Sequence, residues 1–452
     1  MINQHNYPEI DFSGLDLAKP AGAEPIANLR PLPHEKWPPD ARQDELEEIS
    51  AQRNKDIGIR GRSGPIKAFE EQFLKFMDGQ IRYAVTFNSG TSSLLASYFA
   101  AGVKSGDEVI GPALTYHAAL SPLFALGAKP ILADINRNTR CIDPNDIERK
   151  ITSKTKAITV VHQWGHPADM PRILEIARKH GLKVIEDCSH AHGSALNGKL
   201  CGSFGDVAAF SLQTNKMVFA GEGGILVTNN QNIHDRATLF GHYRDRSKSE
   251  IADPELQKFW VTGFGLKLRM SPFNAIVAKH SLAAYPERKE GRHQCLSYFI
   301  EKLAEFPFIE AYKPDGNVDM GAWYGFKPLY AKEKLLGLSR DQFVATLQAE
   351  NVEVSAPSAP VLASTPLYYE DLDPLYGGKE KRNLVSLSEL PVAVAVEACA
   401  LSLPTFYDWK NDKPLIDKYV EAIRSVRDRV YTYAQAQRPG MKLDVKGTRY
   451  ER

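Results

Sequence analysis

The chain has 452 residues, of which 43% are hydrophobic and 25% are charged, the balance of a soluble globular protein of two or three domains. Lys and Arg number 56 against 55 Asp and Glu, so the overall charge gives no argument for nucleic acid or an anionic membrane as the main partner. No apolar run approaches the roughly 20 residues of a membrane span, and the first residues lack the order of a secretory signal. Five cysteines without C-x-x-C spacing indicate reduced thiols, no metal site and a cytoplasmic location.

Residues 1–60 are predicted to form an extended N-terminal arm. Prolines interrupt any long element in its second half, apart from an acidic helix-like stretch at 44–51. The arm is expected to lie on a surface, either of this chain or of a neighbouring subunit, and a disordered leader is the alternative.

Residues 61–300 alternate helices with short apolar strands and are predicted to form the large domain. Apolar residues at helical spacing predict helices over 66–77, 91–102 and 170–181. Short runs rich in Val, Ile and Ala, bounded by turn residues, predict strands at 83–87, 107–113, 129–135, 156–163, 183–189, 206–212 and 223–229. Near-continuous apolar strands between helices indicate an α/β fold with a mostly parallel seven-stranded sheet, whose ligands bind at the carboxyl ends of the strands.

Residues 301–452 are predicted to form a smaller C-terminal α+β domain. Strand-like pieces at 321–330 and 351–357 are mixed with helices there, and a long helix is predicted from 414 to 434. The polar residues that follow this helix are predicted to be frayed.

Three groups of residues at strand ends could carry chemistry. Gly90, Thr91 and Ser92 open a helix, which is either an anion site or an ordinary N-cap. Asp187 ends a buried strand, where it needs either a cation from a ligand or an internal salt bridge. Lys216 follows the strand that ends in Ser211, and its amine is either a nucleophile toward an aldehyde or a solvated surface group.

Together these groups meet the demands of one cofactor. Pyridoxal phosphate needs a cup for its phosphate, an acid beside its ring nitrogen, an aromatic or apolar face and a lysine for the Schiff base. The combination is much more specific than any of its parts, so the sequence favours a pyridoxal-phosphate site.

The stretch 87–270 resembles the DegT/StrS group of sugar aminotransferases, pyridoxal-phosphate enzymes of fold type I. The family pattern has an acidic residue, a His or Gln three positions later, G-x-x-G-D, F-S, a Lys five residues after the Ser, and GEGG. The sequence carries each of these features in Asp187, His190, Gly202, Gly205, Asp206, Phe210, Ser211, Lys216 and Gly221 to Gly224.

The resemblance implies a role for each matching residue. Lys216 would form the internal aldimine and carry the proton, Asp187 would pair with the pyridine nitrogen, and His190 would lie beside the ring hydroxyl. The phosphate would be held by the remaining small residues at the strand and helix ends, namely Gly90, Thr91, Ser92 and Ser211. Tyr116 stands at the position that stacks on the ring, although a core tyrosine is the alternative.

Lys267 departs from the family pattern. Many members have an Asn there that reaches across a dimer to the other subunit's phosphate, and a lysine could neutralise a phosphate as a point charge, or lie free on the surface. The resemblance therefore implies a homodimer with active sites at the subunit interface.

The implied reaction is a ping-pong transfer of an amino group. The donor would be L-glutamate or L-glutamine, and the acceptor a ketone on a sugar, a nucleotide-linked sugar or a cyclitol. A sugar dehydratase of the same fold is an alternative, although such relatives replace the lysine with His or carry iron–sulfur clusters. A non-catalytic sugar-binding sensor is a further alternative from a different class.

Other polar residues are open to more than one interpretation. His162 and His166 lie at a strand end, where the helical spacing of metal ligands is not offered, and Cys188 is interpreted as a packing thiol. The segment with Arg244, Arg246 and Lys248 could meet a substrate phosphate or form an ordinary solvated loop.

Overall fold

The computed structural model describes residues 10–15, 37–55, 57–357, 359–369 and 385–438. The α-helices of this part are α1 (Gln43–Arg53), α2 (Gly64–Phe76), α3 (Gly90–Ala100), α4 (Pro122–Ala125), α5 (Pro144–Arg149), α6 (Met170–His180), α7 (Gln231–Gly241), α8 (Asp245–Glu250), α9 (Pro254–Gln257), α10 (Pro272–Ala283), α11 (Tyr285–Leu303), α12 (Arg340–Ala349), α13 (Pro366–Tyr369), α14 (Pro391–Cys399) and α15 (Trp409–Gln437). The strands are β1 (Tyr83–Phe87), β2 (Glu108–Pro112), β3 (Lys129–Ala133), β4 (Thr155–Val161), β5 (Lys183–Asp187), β6 (Ser194–Leu196), β7 (Lys199–Leu200), β8 (Val207–Ser211), β9 (Gly224–Thr228), β10 (Ile309–Glu310), β11 (Val318–Met320) and β12 (Leu329–Tyr330). None of the helices in these ranges combines the length and the apolar character that crossing a bilayer requires.

A seven-stranded sheet lies at the centre of the fold, in the order β1-β9-β8-β5-β4-β2-β3. The pairs from β3 across to β8 are parallel, and β9 runs antiparallel to both of its neighbours, β1 and β8. The predicted mostly parallel α/β sheet is thus confirmed. Asp187 is in register with Val161 on β4 and Ala209 on β8, so its side chain stands at the carboxyl edge of the sheet.

Local sequence signals explain where the helices of the large domain begin and end. Helix α3 begins after Ser89, whose hydroxyl accepts the amide of Ser92 at 3.0 Å as an N-cap. Helix α6 ends at Gly181, which adopts the left-handed conformation with φ of +65° that favours glycine. The predicted helices at 66–77, 91–102 and 170–181 therefore agree with α2, α3 and α6 to within two residues.

The C-terminal part has its own apolar core, yet it also completes the core of the large domain. Helices α11, α12 and α15 bury one cluster, which includes Phe299, Phe343 and Tyr419. The described stretches 361–369 and 385–400 instead pack with the apolar residues beside the central sheet. The domain boundary at 300 stays a prediction, because the chain beyond it contributes to both cores.

Secondary structure in the C-terminal part is shorter than the sequence predicts. Of the strand-like piece at 321–330 only the two-residue strand β12 forms, and the piece at 351–357 contributes a single bridge between Ser355 and Ser402. The long helix α15 begins five residues before the predicted start and contains Pro414.

The described portion of the N-terminal arm lies on this chain's own surface. The Trp37 indole donates to the carbonyl of Thr214 at 2.9 Å. Helix α1 packs on α10, and Glu48 pairs there with Lys279 and His280. The rest of the predicted arm, and the polar C-terminal residues predicted to be frayed, lie outside the described residues.

Candidate active site

A cavity of about 620 Å³ opens at the carboxyl ends of the sheet strands, between the sheet and loops of the C-terminal part. Most residues predicted from the sequence as site residues line it, namely Gly90, Thr91, Tyr116, Asp187, His190, Ser211 and Lys216. Ser92 and Lys267 are not part of this lining. Residues that are far apart in the sequence therefore meet in one cavity, as strand ends of a parallel sheet should.

The first turn of α3 fits a phosphate. The first amides of a helix have no acceptor inside it, and the helix dipole adds partial positive charge there. A Cβ on Gly90 would lie 2.6 Å from the Cβ of Ser211, so only glycine lets the helix start approach the end of β8 this closely. Ser92 contributes by closing the cap, because its hydroxyl lies 2.9 Å from that of Ser89.

Asp187 fits the partner of a protonated ring nitrogen. Its side chain is 6% exposed and accepts the amide of Ser189 at 3.0 Å. Burial raises the pKa of Asp187, and this outweighs the opposing effects of the Ser189 hydrogen bonds and the Lys216 charge. Among the described residues the carboxylate forms no ion pair, so a cation brought by a ligand would stabilise its charged form.

Glu186, one residue earlier on β5, forms hydrogen bonds within the protein and does not line the cavity. Its carboxylate accepts the amides of Gly202, Phe204 and Gly205. It also lies 2.9 Å from Nε2 of His162, whose Nδ1 accepts a backbone amide and so leaves the proton on Nε2.

The conspicuous histidines take part in hydrogen bonds within the protein. His162, Glu186 and Cys188 offer ligand atoms within 4.8 Å of one another, but the Glu186 oxygens already accept four hydrogen bonds. His166 contacts Tyr312 instead. Cys188 is buried, and burial raises the pKa of its thiol, as expected of a packing residue.

His190 is held as a neutral donor. The amide of Trp164 donates to its Nδ1 at 3.4 Å, which leaves the proton on Nε2. Burial lowers the pKa of His190 well below its ordinary value, and the charges of Lys216 and Lys327 lower it further. The ring of Tyr324 stacks on His190, with centroids 4.0 Å apart.

Lys216 lies in the turn between β8 and β9. Its amide donates to Gln213 at 2.8 Å, and Thr214 and Gly221 close the turn through a second backbone hydrogen bond of 2.9 Å. The Lys216 amine lies 4.1 Å from the ring centroid of Tyr324. The turn therefore brings a primary amine into the cavity that Asp187 and His190 line.

Two other predicted residues lie at or outside the mouth of the cavity. Tyr116 lines it but is 60% exposed, so it is not a core tyrosine. Lys267 is exposed and is not one of the residues that line this chain's own cavity.

The interpretation of Arg246 as a solvated or phosphate-binding loop residue is wrong. Its side chain is 1% exposed and binds Glu70 through two hydrogen bonds of 2.9 and 3.1 Å. The side chain of Arg246 is therefore accessible neither to bulk solvent nor to a substrate.

Sequence reasoning missed the wall that the C-terminal part contributes. Tyr324, Lys327, Ser355 and Ser402 line the cavity opposite the sheet. The one available signal was a lysine inside the aromatic run at 321–330, which was interpreted only as a strand.

Residues 39–416 match the family described as DegT/DnrJ/EryC1/StrS aminotransferase. The chain belongs to this family. The match confirms the resemblance found in the sequence and makes the chain an aminotransferase by family.

Curated relatives include a GDP-perosamine synthase and an aminotransferase named for scyllo-inosose. The GDP-perosamine synthase of Escherichia coli O157:H7 is 43% identical over 182 residues, which are 40% of this chain and 50% of that protein. The L-glutamine:scyllo-inosose aminotransferase of Streptomyces griseus is 31% identical over 333 residues, 72% of this chain and 77% of that protein.

A solved structure shares the fold. The crystal structure of DesI in the presence of its TDP-sugar product superposes with a TM-score of 0.72 at 25% identity, covering 90% of this chain and 96% of DesI. The predicted fold class is confirmed over nearly the whole chain.

Proposed function

We propose that this chain is a pyridoxal-phosphate-dependent aminotransferase that takes an amino group from L-glutamate or L-glutamine and transfers it to a ketone on a sugar, a nucleotide-linked sugar or a cyclitol. The observation that carries the proposal is the convergence of Lys216, Asp187 and His190 on one cavity beside a free helix N-terminus. The names of the relatives support an amino donor and a keto-sugar or cyclitol acceptor.

The residues present fit the cofactor at each of its polar groups. Backbone amides at Gly90 and Thr91, with the Ser211 hydroxyl, would hold the phosphate. Asp187 would hold the proton on the ring nitrogen, and the Nε2–H of His190 would donate to the ring hydroxyl. When bound, pyridoxal phosphate supplies the electron sink that stabilises a carbanion on the substrate.

Lys216 would act first as the covalent anchor and then as the base. Its amine lies against the ring of Tyr324 in the cavity that Asp187 also lines, and two backbone hydrogen bonds fix the turn that carries it. Tyr116 would cover the open face of the ring from the cavity mouth.

We propose a homodimer in ping-pong turnover, with the active site completed across the subunit interface. A patch of exposed apolar side chains supports this proposal, because Phe259, Val261, Phe264 and Leu266 are 58%, 48%, 61% and 37% exposed. A patch of this kind marks a protein contact, and Lys267 follows it directly. The partner subunit's phosphate is the proposed ligand of Lys267. A cytoplasmic location stays a prediction.

The test is the absorption spectrum of the protein loaded with pyridoxal phosphate, before and after adding each amino acid. Loss of the yellow band with L-glutamate or L-glutamine would support the half-reaction and identify the donor. Borohydride reduction followed by peptide mapping should then label Lys216. A yellow protein that no amino acid changes would favour a dehydratase or a sensor, and a protein that cannot be loaded would contradict the proposal.

The cavity itself provides a control for the labelling. Lys327 has a second amine and lines the cavity on the same wall as Tyr324, so it is exposed to the same reagents as Lys216. Label on Lys216 but not on Lys327 would exclude non-specific modification of cavity amines. The variant Lys216→Ala should abolish the label while leaving the melting temperature close to that of the wild type.

A further inference from the structure

The charged residues around the cavity leave one cation without a role in binding the cofactor. Among the described residues that line it, Asp187 and Glu222 are acidic and Lys216 and Lys327 are basic. Burial keeps His190 neutral by lowering its pKa. Since Lys216 is engaged in the chemistry, Lys327 is the remaining positive charge in the described lining.

Lys327 stands in a polar patch of the C-terminal wall. Its amine contacts the hydroxyl of Ser402, and no ion pair within the described part of the chain includes it. Ser402 and Ser355 exchange backbone hydrogen bonds of 2.7 and 3.1 Å, which fixes both serines at the cavity. The patch therefore offers an ammonium group and two hydroxyl groups to whatever enters.

The electrostatic environment of Lys327 favours the binding of an anion. Burial lowers the pKa of Lys327 to about 8, and the charge of Glu353 opposes this shift only in part. An amine that is this far desolvated gains more from a carboxylate than a surface lysine does, because water no longer screens the pair. The same burial explains why the amine also depresses the pKa of His190.

We propose that Lys327, with Ser402, binds the α-carboxylate of the amino-acid donor. The inference rests on the proposed function and deepens it. Both L-glutamate and L-glutamine carry this carboxylate one carbon from the amine that reacts, so it enters the cavity together with the amine. A buried carboxylate is costly without a cation or several hydrogen-bond donors, and Lys327 and Ser402 supply both.

The geometry places this site on the correct side of the cavity. Lys327 follows Tyr324 by three residues on the same wall, and the amine of Lys216 lies against the Tyr324 ring. Lys216, Lys327 and His190 all line the same cavity. A donor whose amine reacts where Lys216 stands can therefore reach Lys327 with its carboxylate.

The first test compares wild type, Lys327→Met and Lys327→Arg in single turnovers of the cofactor-loaded protein with L-glutamine and with L-glutamate. Lys327→Met should raise the donor concentration for half-maximal rate at least about 10-fold, and Lys327→Arg should restore most of the loss. The absorbance of the bound cofactor and the labelling of Lys216 should be the same in all three proteins. Equal donor dependence in Lys327→Met and wild type would overturn the proposal.

The α-amide of L-glutamine tests which group Lys327 contacts. Wild type should bind this amide at least about 10-fold more weakly than L-glutamine, whereas Lys327→Met should discriminate little between the two. Donor binding by wild type should also weaken as the pH rises through about 8, because Lys327 loses its charge there. Donor binding by Lys327→Arg should not weaken in this pH range. Equal discrimination in both proteins would overturn the assignment to the donor. A defect of Lys327→Met that affects only the reaction with a neutral ketone acceptor, such as scyllo-inosose, would overturn it as well.

A binding measurement separates this inference from the proposed function. Glutarate has two carboxylates and no amine, so NMR detection of its binding to the cofactor-loaded protein requires no turnover. Weaker binding to Lys327→Met than to wild type would support the carboxylate site even if neither amino acid reacted. Equal binding to both proteins would overturn it whatever the activity.

Discussion

The rings of His190 and Tyr324 lie face to face, with centroids 4.0 Å apart and planes inclined by 8°. His190 follows β5 in the sheet, whereas Tyr324 lies in the C-terminal part between β11 and β12. The stack therefore joins the two parts of the chain inside the cavity. The stack also covers the ring of His190, whose pKa is lowered by burial and by the charge of Lys216. The amine of Lys216 lies against the ring of Tyr324.

The first prediction concerns Tyr324→Leu, which removes the stack and the contact with the Lys216 amine. Hydration of His190 should bring its pKa back toward 6.5, so the ring becomes protonated at a higher pH than in wild type. The acidic limb of the activity profile should move up in pH, and kcat/KM at neutral pH should fall about 10-fold. Steady-state kinetics between pH 5 and 9 would check both.

Tyr324→Phe is the matched control, because it keeps the ring and loses only the hydroxyl. Its pH profile should follow that of the wild type. An unchanged acidic limb in Tyr324→Leu would show that the stack does not control the protonation of His190.

Much of the fold could be predicted from the sequence because its signals are local. Runs of Val, Ile and Ala bounded by turn residues identified all seven strands of the sheet, and residues such as Ser89 and Gly181 marked where helices begin or end. In the C-terminal part the same signals failed. There 321–330 is mostly irregular, because its aromatic side chains pack into a core between helices rather than onto a sheet face.

The candidate site was predictable where residues stand at strand ends and not where tertiary packing supplies them. Asp187 and Lys216 follow apolar strands, so their position is readable from chain order. Lys327 and Ser402 are 75 residues apart and meet only because the C-terminal part folds over the sheet. Arg246 was misread for the same reason, since its partner Glu70 lies 176 residues earlier.

The second prediction concerns the buried pair of Glu70 and Arg246. Burial alone would raise the pKa of Glu70, but the charge and hydrogen bonds of Arg246, with smaller contributions from Arg62 and the Thr86 amide, lower it overall. Arg246→Met should therefore reduce the free energy of unfolding by about 3–5 kcal/mol at pH 7.5, because it leaves a buried carboxylate uncompensated. Urea unfolding would measure this loss.

The pH dependence of that loss has a definite sign. In wild type the lowered pKa of Glu70 gives stability that is present above about 4.5 and is lost as the pH falls through the folded value. In Arg246→Met burial raises the pKa instead, so the deficit should shrink as the pH is lowered toward 5. Arg62→Ala is the control, because the Arg62 side chain is 27% exposed and Arg246 still compensates Glu70, so this variant should lose only about 1 kcal/mol. A deficit that does not depend on pH would point to lost packing instead.

The third prediction concerns Trp37, which anchors the N-terminal arm beside the turn that holds Lys216. Its ring lies 5.5 and 5.1 Å from the guanidinium carbons of Arg288 and Arg292, and its indole N–H binds the carbonyl of Thr214. Trp37→Ala should reduce stability by about 2–3 kcal/mol. Amide exchange in the turn that holds Lys216 should become faster, which mass spectrometry would detect.

Trp37→Phe separates the two contributions of this side chain. It keeps an aromatic face for the arginines and removes the N–H, so stability should be largely retained while exchange in the turn still rises. Unchanged exchange in both variants would show that the arm does not position the turn.

The last prediction tests whether Lys267 serves the partner subunit's cavity. In a dimer of Lys216→Ala with Lys267→Glu, a cross-subunit site would place both defects in one cavity and leave the other cavity intact. Mixing equal amounts of the two unfolded variants and refolding them should then restore about a quarter of the wild-type rate, since half of the dimers are hybrids with one good site. Each variant refolded alone is the control and should stay nearly inactive. The contradicting outcome is a mixture no more active than the average of the two separate variants. This is expected if Lys267 acts on its own subunit or on no phosphate at all, because each hybrid cavity then carries at most its own single defect.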